Sequence, residues 1–201
     1  MTKRRKTAQQ YLSQYQNSDA TRAKLLSFEF SDHGRQGSSM ESVARTWMLS
    51  FEAIRESNLR AAELLCQASF FQHHGIPAAL LQNEGEDDFD FQEAAAALKA
   101  FSFLDADDAD SVLRTHRLVQ LATRWWLKME SPRECQRWAL AALKSVAHRF
   151  PGLDVLRDSA HTSLSQTMLP HAELMLQHKF QTSSREVELA RASLLNLSGR
   201  Y

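Results

Sequence analysis

Glycine and proline are scarce in this chain, with six and four occurrences among 201 residues. Two cysteines, Cys66 and Cys135, are too few for a disulfide framework, which favours a reducing compartment. No apolar run approaches the roughly 18 residues that cross a membrane, and polar residues follow the basic start at 3–6. The absence of net charge argues against a nucleic-acid binder. We therefore expect a folded, cytoplasmic protein that engages neither membrane nor nucleic acid.

The zero net charge hides a strong segregation along the chain. Residues 84–110 carry ten acidic side chains and one basic, whereas residues 111–201 carry thirteen basic and seven acidic. Most of the acidic residues fall within 84–90 and 105–110. Such blocks are usually solvated connections, so two acidic loops are predicted.

Apolar residues recur at helical spacing through most of the chain, which predicts a mainly α fold. Three stripes carry the pattern: Val43, Trp47, Phe51 and Ile54; Leu64, Leu65, Ala68 and Phe71; Leu118, Leu121, Ala122, Trp125 and Met129. Capping boxes that begin at Asp90 and at Ser131 predict two helix N-termini, and both cysteines fall on predicted helices, where a buried thiol is inert.

One stretch breaks the helical pattern. Residues 101–104 and 112–115 are predicted to be short strands around an acidic turn, and a helical domain with one β-hairpin has the form of a winged helix. The helix at 58–72, where such a fold reads DNA, lacks a basic face. After residue 153 the pattern is helical again, with a predicted kink at Pro170 and a last helix from about Ser184.

Motifs for catalysis and metal binding are absent. The chain has neither the G-x-x-x-x-G-K-[ST] phosphate loop nor G-x-G-x-x-G, and no G-x-S-x-G motif. Eight histidines occur without an HExxH or Cys-x-x-Cys partner, and residues 105–116 lack the glycine and glutamate of a calcium loop. We therefore expect no metal site and no enzymatic activity in this chain.

Five segments together resemble one family. The most informative is 115–127, THRLVQLATRWWL; the others, in chain order, are 43–54 (VARTWMLSFEAI), 62–81 (AELLCQASFFQHHGIPAALL), 95–104 (AAALKAFSFL), and 169–172 (LPHA) with 194–201 (LLNLSGRY). They resemble fungal NOD-like receptors, which are signalling ATPases with an NB-ARC-type nucleotide-binding core followed by tetratricopeptide repeats of the kinesin-light-chain type.

The resemblance implies a role for His116. In that family the histidine of a Met-His motif in the winged-helix-like segment contacts the phosphate of the bound nucleotide and holds the receptor in its off state. Here Thr115 replaces the Met, and Arg117 follows the histidine as in the fungal version. An imidazole at the start of a helix is able to donate to a phosphate. The structural alternative is that His116 only caps or packs against the helix.

The family pattern also implies a domain plan. A helical lead-in at 1–40, a winged-helix-like domain at 41–152, and the first helices of a tetratricopeptide-like array at 153–201 are expected. The chain is thus expected to be a fragment, a non-catalytic regulatory linker without its own cofactor. ADP or ATP would belong to an upstream ATPase core, its partner in cis or in trans.

The alternative function is a freestanding helical interaction module. Residues 153–201 would then bind a protein partner through an unfilled repeat face. In that interpretation Leu189, Leu194 and Leu197 of the last helix are expected to lack packing partners.

Overall fold

A computed structural model of the protein describes residues 37–107, 109, 111–151, 159–181 and 184–198; side chains are described from residue 47, and in the fourth range from residue 165. The chain divides into two compact units, Met1–Ala53 and Ile54–Tyr201. The predicted lead-in at 1–40 lies almost wholly outside the described residues.

Seven α-helices and one small sheet make up the described part of the chain, which confirms the mainly α prediction. The helices are α1 (Gly37–Ser57), α2 (Leu59–Ala68), α3 (Asp88–Ala100), α4 (Arg117–Glu130), α5 (Pro132–Arg149), α6 (Ser159–Gln177) and α7 (Arg185–Ser198). The strands are β1 (Ile76–Pro77), β2 (Asp105–Ala106) and β3 (Val112–Arg114), and a 3₁₀ turn, Ala78–Leu80, follows β1.

The first predicted stripe lies on α1. Trp47, Phe51 and Ile54 are all buried, and the rings of Trp47 and Phe51 stack with centroids 5.0 Å apart. The side chain of Val43, the remaining member, lies outside the described residues. The helical spacing at 47–54 therefore identified the buried face of α1.

The sheet differs from the predicted hairpin. It is antiparallel with the order β1-β3-β2, and β1 pairs Ile76 with Leu113, a strand that the sequence pattern missed. The first predicted strand, 101–104, is wrong because these residues close α3 instead. Ser102 has a φ of 58°, and its N–H and that of Phe103 donate to carbonyls of α3, the pattern of a Schellman motif.

The two predicted helix starts had different outcomes. Ser131 does cap α5, accepting a hydrogen bond from the Glu134 N–H at 3.3 Å, with Pro132 in the first turn. The start at Asp90 is wrong, since Asp87 caps α3 and accepts from the Phe89 N–H at 2.8 Å. The first predicted acidic loop therefore ends in a helix, whose N-terminal dipole favours the carboxylates at its first turn.

Helix α4 buries a more polar face than its leucine and tryptophan pattern predicts. Gln120, Thr123, Trp126 and Leu127 are buried, whereas Met129 is 45% exposed. The buried Gln120 Nε2 donates to the carbonyls of Ala68 and Phe71 at 2.9 and 3.0 Å. With both bonds made, this glutamine ties α4 to the end of α2. Ala122 of the predicted stripe is buried and Leu118, Leu121 and Trp125 are partly buried, so polarity identified only part of the inner face.

Helices α6 and α7 pack against α5 within the same compact unit. Helix α6 continues through Pro170, and Arg191 of α7 donates to the carbonyls of Leu176 and His178 at 2.8 and 3.4 Å. Leu194 is fully buried, so the expectation that it lacks a packing partner is wrong, while Leu189 is 60% exposed. The boundary near 152 and the repeat and winged-helix assignments stay predictions.

Candidate functional site

His116 lies at the N-terminus of α4 and acts as its N-cap. Its Nδ1 accepts a hydrogen bond from the Leu118 N–H at 3.2 Å, in an extended backbone conformation with φ −70° and ψ 137°. Because Nδ1 accepts, the proton of the neutral ring lies on Nε2. The side chain is exposed, so this N–H is available to an acceptor from outside the described residues.

Three further cationic or titratable groups lie beside His116. The rings of His73 and His74 have centroids 3.9 Å apart, and the Thr115 N–H donates to the His73 carbonyl at 2.9 Å. Burial lowers the pKa of His73, and the positive charges of His74, Arg117 and His116 lower it further. We call His73, His74, His116 and Arg117 the histidine cluster.

The histidine cluster suits an anion better than a metal ion. It places the permanent cation of Arg117 and three imidazoles, each with an N–H donor, beside the positive end of the α4 dipole, and this arrangement favours a phosphate or carboxylate. Among the described residues, no three His, Cys, Asp or Glu side chains are arranged to hold a metal ion. The family resemblance singled out His116, but it did not indicate His73 and His74, because their approach to α4 depends on tertiary contacts.

His171 has a structural role that the sequence pattern did not indicate. Its ring is 1% exposed, Nδ1 accepts from the Gln72 N–H at 3.1 Å, and Nε2 lies 2.8 Å from the Gly75 carbonyl. Burial lowers the pKa of His171, and the bond to Gly75 partly opposes that shift. A neutral His171 therefore joins α6 to the turn that carries the His73–His74 pair.

Neither cysteine contributes reactive chemistry to the described part of the chain. Cys66 and Cys135 are 4% and 3% exposed, which confirms that both thiols are buried. Burial raises the pKa of Cys66 to about 12 and also raises that of Cys135. Since the thiolate is the nucleophile, both side chains act as small apolar core residues.

None of the described helices has both the length and the apolar composition required to cross a membrane.

Comparison with known proteins gives two matches. A family model described as a domain of unknown function (DUF7779) matches residues 51–132, which include α2, the sheet and α4. The chain is 33% identical over 198 residues to a "Nucleotide-binding leucine-rich repeat (NLR)-like protein" of Hyaloscypha variabilis. No solved structure matches.

The match to the Hyaloscypha variabilis protein includes nearly all of this chain but only a small part of that relative. It covers 97% of this chain but 19% of the Hyaloscypha variabilis protein, so the chain spans about a fifth of that protein's length. The printed name of the relative mentions nucleotide binding and leucine-rich repeats; it does not mention the tetratricopeptide repeats predicted here. Over nearly all of its length, the chain is thus related to one part of a fungal NLR-like protein.

Proposed function

We propose that the chain is a non-catalytic regulatory segment of a NOD-like receptor that couples a nucleotide-binding ATPase core to downstream helical repeats. The similarity to the Hyaloscypha variabilis NLR-like protein supports a signalling role. The finer assignment rests on His116, whose exposed Nε2–H at the start of α4 is available to a phosphate. In this scheme the ADP or ATP is held by the core and touched by this chain.

The identity of the N-cap residue supports the sensor role. Serine, threonine, aspartate and asparagine are the residues that cap helices best, and an acidic cap also gains from the helix dipole. Histidine at position 116 stabilises the start of α4 less than those residues would. Arg117 and the α4 dipole keep this end of the helix positive, and the imidazoles of His73, His74 and His116 lie beside it, which fits the recognition of a phosphate that the ATPase core presents.

A contiguous path connects the histidine cluster to the C-terminal helices. The Thr115 N–H bonds to the His73 carbonyl, the Gln72 N–H bonds to His171, and His171 belongs to α6. A displacement of the histidine cluster would therefore act on α6 through hydrogen bonds rather than through a flexible linker. Coupling of this kind requires contacts that differ between two nucleotide states, and the ATPase core must supply the other side of them.

The test replaces the matching segment of the Hyaloscypha variabilis protein with this chain and measures release of a fluorescent ADP. His116→Asn keeps an N-cap acceptor but removes the imidazole N–H. We expect about tenfold faster ADP release, the effect of losing one charge-assisted hydrogen bond of about 1.4 kcal/mol.

The control is His148→Asn, which changes a 70%-exposed histidine near the end of α5. It is expected to leave ADP release unchanged. Equal release rates for the parent chimera and His116→Asn would mean that His116 only caps α4, and the sensor assignment would be wrong.

A further inference from the structure

A cleft of about 740 Å³ lies along one face of α4, between the turn after α2 and the C-terminal end of α6. Six basic side chains line it: His73, Arg117, Arg124, Lys128, His178 and Lys179. No aspartate or glutamate lies among its described lining residues. We call this feature the basic cleft; it overlaps the histidine cluster at His73 and Arg117 and extends away from it.

The lining cations of α4 share one face of that helix. Arg117, Arg124 and Lys128 are separated by seven and four residues, close to whole numbers of helical turns. The ion pairs of the described residues involve other side chains, so these three cations and Lys179 lack a carboxylate partner within that part of the chain. Repulsion between cations that lack counter-charges destabilises a fold. Cations that are kept at this cost are therefore expected to serve another function.

Arg124 is the most informative of these cations because it is largely withdrawn from solvent. Its guanidinium donates to the Ser69 carbonyl, and burial lowers its pKa. An arginine in such surroundings ordinarily faces a carboxylate, since a desolvated cation without a counter-charge is costly. No carboxylate pairs with Arg124 among the described residues, so its charge remains available to an anion.

His178 supplies a second, independent observation in the same cleft. Its Nε2 atom is buried and has no hydrogen-bond partner among the described residues. The ring lies edge-on to Phe70 and Phe180, with centroid distances of 5.7 and 4.8 Å. Buried polar atoms normally have a partner, so this imidazole nitrogen in a cationic cleft is a hydrogen-bonding position that no described residue fills.

We propose that the basic cleft binds a small molecule that carries several phosphate groups. Its volume falls within the range of ligand sites, about 300–1,000 Å³, and arginine with lysine is the usual recognition set for phosphate. Arg117 and Lys128 are eleven residues apart, or roughly 16 Å along α4, which is more than one phosphate spans. Several phosphates on one compact carrier would satisfy Arg124, His178 and the rim cations together.

This assignment does not depend on the proposed coupling role. The coupling role concerns the Nε2–H of His116 and a nucleotide held by another domain. The basic cleft is complete within the unit Ile54–Tyr201, and His116 is not among its lining residues. Either proposal is able to fail while the other holds.

The test is isothermal titration of the full 201-residue chain at physiological salt. Inositol hexakisphosphate, tripolyphosphate and ATP are titrated separately. They carry their phosphates on a ring, in a linear chain and on a nucleoside, so the comparison distinguishes these three sources. We expect saturable one-to-one binding of at least one of the three. The double variant K128E/K179E changes two exposed lining residues and should weaken it by 100-fold or more, about tenfold for each charge-assisted contact.

The matched control is R185E, which reverses an exposed arginine at the start of α7 that lies outside the basic cleft. It should bind as the parent chain does, and circular dichroism should show equal helicity for all three proteins. Absence of binding in the parent, or equal affinities for the parent and K128E/K179E, would overturn the proposal. A poly-glutamate peptide that binds as tightly as the phosphates would also overturn it, because the cleft would then take an acidic protein segment.

Discussion

Residues 84–110 and the basic cleft carry opposite charges, and the molecule uses those charges in different ways. In the acidic region, Glu86 accepts from Arg60 and from the Asn83 N–H, Asp87 caps α3, and Asp107 accepts from Ser111 and Val112. In the basic cleft the arginines and lysines lack carboxylate partners among the described residues. Charges that hold the fold together are thus separated from charges that remain available for a ligand.

The difference shows what net charge leaves out. A formal charge of zero indicates no affinity for anions, yet ten of the 24 acidic residues are concentrated in 84–110, where Glu86, Asp87 and Asp107 are held in an ion pair, a helix cap and a turn. Local hydrogen bonding occupies those carboxylates, so they do not neutralise the cations of α4. Charged side chains without a partner therefore indicate a binding site better than the net charge of the chain does.

The largest effect is expected from breaking the strongest acidic contact. Arg60 and Glu86 form a two-point ion pair at 2.5 and 2.8 Å, with side chains 19% and 8% exposed. Glu86→Ala leaves that guanidinium unpaired and should lower the free energy of unfolding by about 3 kcal/mol in urea denaturation.

The matched control for that change is Asp105→Ala. Its partner is Arg114, and the two side chains are 73% and 55% exposed. Solvent screening limits this pair to less than about 1 kcal/mol. If both variants lost the same stability, the acidic region would not be held by the buried pair, and the contrast between the two regions would weaken.

A smaller effect on stability is expected when acid protonates His171 and so adds positive charge to the basic side of the molecule. Burial lowers the pKa of His171 below its usual value of about 6.5, so the unfolded chain takes up the proton more readily than the folded chain. The stability contributed by neutral His171 is complete above that value and is lost as the pH falls below it.

Urea denaturation between pH 7.5 and pH 5 checks this expectation. His171→Leu removes the hydrogen bonds to Gln72 and Gly75, so it should lower the free energy of unfolding by about 2 kcal/mol at neutral pH. The variant should also lose less stability than the parent chain as the pH falls. His148→Gln changes an exposed histidine and should leave the pH dependence as it is. An unaltered pH profile in His171→Leu would show that other groups carry the acid sensitivity.

The smallest effect compares the two helix caps. Asp87→Ala removes the cap of α3 and should cost about 1 kcal/mol. His116→Asp places a carboxylate among cations at the start of α4 and should raise stability by about 0.5 kcal/mol. Thermal denaturation of both variants measures the difference. A destabilised His116→Asp would mean that histidine is retained at this position for the fold rather than for a phosphate.

Sequence patterns predicted the elements whose signals are local. The capping box at Ser131 depends on contacts within four residues, and it correctly located the start of α5. Residues 101–104, FSFL, were assigned to a strand because they break the helical pattern, yet Ser102 adopts a left-handed conformation that closes α3. Strand propensity did not distinguish that turn from an extended segment.

Non-local features were beyond the sequence patterns. Strand β1 has two residues and exists because Ile76 and Pro77 pair with β3, more than thirty positions later. The i, i+7, i+11 spacing of the α4 cations is visible in the sequence, but nothing local places His178 and Lys179 beside them. His116 was identified through family resemblance, and only the fold shows that its side chain at the start of α4 is exposed.

Arg191 extends the influence of α7 to a cleft that it does not line. Its guanidinium donates to the carbonyls of Leu176 and His178, so a docked α7 stabilises the end of α6. Whenever α7 transiently opens, the imidazole of His178 loses its support. A ligand that binds only the docked form therefore slows hydrogen exchange of amides in α7, a helix it never touches.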